Sequence, residues 1–128
     1  MHINFNGREI ELKFGLRTLT EVDRELGFEM DGASLGEGVE MLIPKLQSGN
    51  PVGLSKIIKC ATSHDKKSPK TYEDLEEVLD DIAENEGFKA FGERVIEELG
   101  KRPMTASLVP EDLKEKQEKQ ETPEESAV

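Results

Sequence analysis

The residue types that most often do chemistry are scarce in this chain. Two histidines, His2 and His64, and one cysteine, Cys60, stand apart from the carboxylates. His64-Asp65 could be half of a metal site, but such sites gather a second cluster of His, Cys or Asp, and the chain supplies none. Neither histidine sits in an acid–nucleophile arrangement of the kind that activates a hydroxyl or thiol. Cys60 lies inside an apolar helical pattern, where a cysteine is ordinarily a small buried hydrophobe. Carboxylates crowd the stretch Glu73–Glu86, yet they cover a helix surface, whereas paired-carboxylate catalysis needs two in contrasting environments. The glycines fall at turns and helix ends, with neither the phosphate-loop nor the dinucleotide-loop spacing. The sequence therefore assigns no catalytic, cofactor-binding or metal residue. It points away from an enzyme and towards a binding protein.

The elements that hold these residues are organised around Asn50–His64, NPVGLSKIIKCATSH. Asn50 is a good N-cap, and Pro51 suits the first helical position, where its missing N–H costs nothing. Leu54, Ile57, Ile58 and Ala61 then give one continuous apolar face. Two β-branched isoleucines in succession weaken an isolated helix, so packing must hold this one. Ahead of it, residues 2–14 read as a β-hairpin, because Asn6-Gly7 suits a type I′ turn. A two-residue loop there sets Phe5 opposite Arg8, Ile3 opposite Ile10 and Met1 opposite Leu12, an almost wholly apolar face. His2 with Glu11 and Asn4 with Glu9 form the other face, and a one-residue slip would mix the two.

Leu16, Leu19, Val22 and Leu26 mark a first helix, ended by Gly27. After a turn at Asp31-Gly32, Ser34-Leu35-Gly36-Glu37 reads as a capping box. It opens a second helix with Val39, Leu42, Ile43 and Leu46 on one face, and Pro44 is expected to kink it. Only a Gly49-Asn50 corner separates it from the central helix, so the two should form an αα-hairpin. Beyond the polar loop 63–70, Thr71 and Asp74 cap a fourth helix with Tyr72, Leu75, Leu79 and Ile82 as its apolar face. Asn85–Gly87 interrupts, and a fifth helix carries Phe88, Phe91, Val95 and Leu99, with Gly100 and Pro103 as stop signals. The expected fold is mainly α (α+β): an N-terminal hairpin, a bundle of about five helices over residues 1–102, and a disordered acidic and polar tail over 103–128. That tail holds at most a transient helix around Glu111–Gln120.

At 128 residues, with 34% apolar residues and a net charge of −11, the chain is one domain with a modest core. Its acidity argues against a sequence-independent grip on nucleic acid and against an anionic membrane surface. One cysteine makes no internal disulfide, which suits a reducing cytoplasm, and neither a membrane span nor a signal peptide is expected. Charge is uneven. Residues 45–70 hold six bases and one acid, whereas 73–98 hold eleven acids and two bases. Solvated faces account for most such runs; the sharper reading is a dipolar molecule that docks to itself or to a partner charge-first.

Three stretches together resemble the tail assembly chaperones of long-tailed, non-contractile bacteriophages and prophages of Gram-positive bacteria. They are INFNGREIELKFGLRTLTEVDRELG, then GASLGEGVEMLIPKLQSGNPVGLSKIIKCATSH with its Pro44 and its Gly49-Asn50-Pro51 corner, then TYEDLEEVLDDIAE leading to FGERVIEELGK. The resemblance covers about Ile3–Lys101, and its specificity lies in the order of the elements. It implies a non-enzymatic helical protein of the infected cell's cytoplasm, absent from the finished virion. It also implies binding to the tape measure protein, recruitment of tail tube protein, and a longer second form made by ribosomal frameshifting. Rival readings are an acidic phage-encoded inhibitor of a host protein, or a structural tail or connector subunit.

Partner binding is expected where apolar faces exceed what a small core needs. The hairpin face, Phe5, Ile10 and Leu12, and Phe88 and Phe91 of the last helix are the expected surplus. Glu76, Glu77 and Asp80 are expected to steer basic residues of the partner.

Overall fold

The computed structural model describes residues 1–28 and 35–114. It contains a hairpin of β1 (His2–Phe5) and β2 (Arg8–Glu11), followed by five helices. These are α1 (Leu16–Glu25), α2 (Glu37–Ser48), α3 (Pro51–Ala61), α4 (Tyr72–Asn85) and α5 (Phe88–Lys101), with a short 3-10 turn at Ala106–Leu108. Asn6 and Gly7 adopt φ of 51° and 73°, the positive values a type I′ turn demands, and the strands pair in the expected register. The apolar hairpin face joins the common core, and β1 lies against α4. Two hydrogen bonds from Arg8 to Asp65, at 3.3 and 3.0 Å, and one from His64 Nε2 to the Glu11 carbonyl, at 2.7 Å, fasten it to the α3–α4 loop.

The core runs through all five helices. α3 is capped as its sequence demands: the Asn50 side chain accepts from Gly53 N–H at 3.0 Å, and Leu54, Ile57, Ile58 and Ala61 are buried. α2 packs broadly on α5 and α1 on α3. The α2–α5 crossing is close because Gly92 presents no side chain to the Leu46 backbone, and Gly49, at φ 74°, turns the chain beneath the start of α5. α2 continues through Pro44 to Ser48.

Four expectations need correction. The N-cap of α2 is Gly36, and its free N–H groups are satisfied from another helix: the buried Asp23 carboxylate of α1 accepts from Gly36 N–H at 3.0 Å and Gly38 N–H at 2.8 Å. Ser34 and the Asp31-Gly32 turn lie outside the described residues. In α1 the buried face is Thr18, Leu19, Val22 and Asp23, so Leu16 is left 55% exposed. In α4 the buried residues are Leu75, Val78 and Ile82; Val78 takes the place expected for Leu79, and Tyr72 is 90% exposed.

The fourth correction concerns the domain boundary. α5 runs through Gly100 to Lys101, and the chain beyond Pro103 turns back onto the bundle. Thr105, Val109 and Leu113 are buried, and the Thr105 hydroxyl donates to the Leu99 carbonyl at 2.6 Å. A helical turn begins at Glu111 and continues to Lys114. The folded unit therefore extends past residue 102 at least to Leu113. Residues 115–128, the rest of the expected tail, lie outside the described residues.

Candidate functional site

The residues that looked chemical have structural roles. Burial pushes the Cys60 thiol up to about 12, so it is neither a thiolate nucleophile nor a ready ligand. His64 and Asp65 face the hairpin. The Arg8 guanidinium bonded to Asp65 holds its carboxyl below the usual range. Asp74 is also lowered, chiefly by the Lys70 backbone N–H, and it completes the Thr71 capping box. Among the described residues no group of three His, Cys, Asp or Glu could hold a metal ion.

The expected apolar surplus is placed differently from the sequence reading. Phe5, Ile10, Leu12 and Phe91 are buried core residues, and Phe88 is half-buried against them. The reason is geometric. A two-stranded hairpin has no second layer of its own, so its apolar face is consumed in the common core. Phe91 is consumed where α5 packs on α2. Glu76, Glu77 and Asp80 are exposed on α4, as a steering role requires.

Two of the exposed apolar side chains, Val52 and Tyr72, line an open groove of about 390 Å³ between α3 and α4, while Leu16, Leu35, Met41 and Met104 are exposed elsewhere. Each wall is one helical stripe. Val52, Ser55, Lys56 and Lys59 line it from α3, and Tyr72, Leu75, Glu76 and Leu79 line it from α4. Both stripes have the spacing i, i+3, i+4, i+7, the one that keeps side chains in a single row. Val52 is 58% exposed, and Tyr72 stands almost free of the protein. Lys59 is tied to Glu25 of α1 at 3.4 Å, and Lys70 Nζ donates to the Lys66 and Ser68 carbonyls. The signal for this site was present in the sequence as Tyr72 and Leu79. Assigning both to the core face concealed it.

Fold and groove define a class: a small, mainly helical protein with an N-terminal hairpin and an open, partly apolar groove between two helices. The family of phage tail assembly chaperone proteins (TAC) matches residues 2–112, from the hairpin to the segment that folds back after α5. The chain belongs to this family. Membership gives it a chaperone role in phage tail assembly, in a family that is generally non-enzymatic and acts on tail proteins. No curated protein and no solved structure matches the chain. No described helix is long and apolar enough to cross a membrane.

Proposed function

We propose that this chain serves a long-tailed, non-contractile phage or prophage of Gram-positive bacteria by binding its tape measure protein. It keeps that protein soluble and helps recruit tail tube protein. The observation that carries the reading is the family match over nearly all the described residues. The physics supports it. An unassembled tape measure helix exposes long apolar stripes, which aggregate. Acidic subunits seated along it would cover those stripes while their net charge of −11 keeps the complex dispersed. Release during tube polymerisation favours modest affinity per copy and many copies per chain. On this reading the protein works in the host cytoplasm, is left out of the mature virion, and can accompany a frameshifted longer form.

Co-expression tests the proposal. The tape measure protein should move from the insoluble to the soluble fraction when this chain is present. Reversing the charges of Glu76, Glu77 and Asp80 together should slow association and flatten its salt dependence without unfolding the domain. Equal insolubility with and without the chain would sink the proposal and favour an inhibitor of a host protein.

A further inference from the structure

We infer that the α3–α4 groove seats one amphipathic helical segment of a partner, with its apolar stripe on Val52, Tyr72 and Leu79, an acidic flank beside Lys56 and a basic flank beside Glu76. The inference rests on the chaperone reading only for the natural source of that segment.

The two helical walls differ in charge; Glu25, paired with Lys59, and Lys70, bonded to the Lys66 and Ser68 carbonyls, also line the groove. The α3 wall holds Lys56 and Lys59 and no acid, on a chain with eleven more acids than bases. Lys59 is engaged by Glu25, whereas Lys56 has no ion pair among the described residues. The α4 wall holds Glu76, with Glu77 and Asp80 exposed beyond it. The rows also carry an aromatic side chain, Tyr72, and two aliphatic ones, Val52 and Leu79, the mix that anchors helix-in-groove recognition. A helix lying there matches both walls only if its own flanks differ in sign.

Two other occupants fit poorly. A second copy would bring an acidic α4, but that helix holds no lysine or arginine, so it offers no basic flank for Glu76. The chain's own residues 115–128 are EKQEKQETPEESAV, whose apolar residues are only Ala127 and Val128. Neither supplies both an apolar stripe and flanks of opposite sign, which a segment of another protein can.

The probe is a stapled helical peptide with a leucine stripe, glutamates on one flank and lysines on the other, titrated into the full-length ¹⁵N-labelled chain. Shifts should be confined to amides of residues 51–59 and 70–80. Val52→Asp, at an exposed position that tolerates the change, should weaken binding by about tenfold or more. Lys56→Glu should weaken this peptide and strengthen one with lysines on both flanks. No shifts at millimolar peptide, shifts centred elsewhere, or unchanged binding by either variant would overturn the assignment. Concentration-dependent shifts of the same amides without peptide would give the groove to a second copy and overturn it too. Peptide binding without rescue of tape measure solubility leaves the groove standing and removes the chaperone reading. Rescue without peptide binding does the reverse.

Discussion

Gly92→Ala sets two effects of opposite sign against each other. Alanine is favoured over glycine inside a helix by about 1 kcal/mol, so propensity alone predicts a gain in stability. Packing predicts a loss. A Cβ at Gly92 would stand 1.9 Å from the Leu46 carbonyl oxygen and 2.8 Å from its carbonyl carbon. Both are backbone atoms and cannot rotate aside. Since Cβ atoms essentially never approach within 3.0 Å, α5 must retreat from α2 by about an ångström. That retreat loosens Leu46, Phe91 and Val95, all buried. Overpacking of a close-packed contact costs about 1–3 kcal/mol, more where backbone must move, so the clash should prevail by about 2 kcal/mol. At about 4–8 °C per kcal/mol for a domain of this size, the melting temperature should fall by about 10 °C. Thermal and urea melts followed by circular dichroism read the change. A more stable Gly92→Ala variant would refute the close α2–α5 crossing.

Asp23→Ala should cost about 1–3 kcal/mol, measured by urea denaturation, because it leaves two buried N–H groups at the start of α2 without acceptors. The Cys60 thiol ionises near 9.0 when unfolded and near 12 when folded, so the unfolded chain releases its proton first. Its contribution is intact below pH 9 and is lost as pH rises towards 12; Cys60→Ala should therefore flatten the alkaline fall in the urea midpoint. Truncation after Arg102 should lower the melting temperature, because it removes Thr105, Val109 and Leu113 from the core, whereas truncation after Lys114 keeps all three. Equal melting of the two truncated chains would return the boundary to residue 102.

Local chemistry was the most legible part of the sequence. The Asn6-Gly7 turn, the Asn50-Pro51 start and the Thr71/Asp74 capping box each depend on residues within four positions of one another, and each is found as read. What the sequence concealed is tertiary. Asp23 looks like a surface residue of α1 until α2 places its first N–H groups against it. Tyr72 shares helical spacing with Leu75, Leu79 and Ile82, and periodicity alone cannot show that Tyr72 meets solvent while Leu79 is partly buried against the core. Val109 and Leu113 lie in MTASLVPEDL, between the Pro103 stop signal and a run of Glu, Lys and Gln, and read as part of that polar run, yet α5 ends where both can reach the bundle. The burial of Phe5, Ile10, Leu12 and Phe91 was concealed for the same reason. Counting apolar faces shows that a surplus exists, and only packing shows which of them the core consumes.

The central claim is that this chain binds the tape measure protein, and affinity capture tests it most directly. A tagged copy of the full chain, expressed with the tape measure protein of the same phage or prophage, should retain it in a soluble complex containing several copies of the chain per tape measure molecule. Recovery of the chain alone, with tape measure protein present in the same extract, would contradict the account.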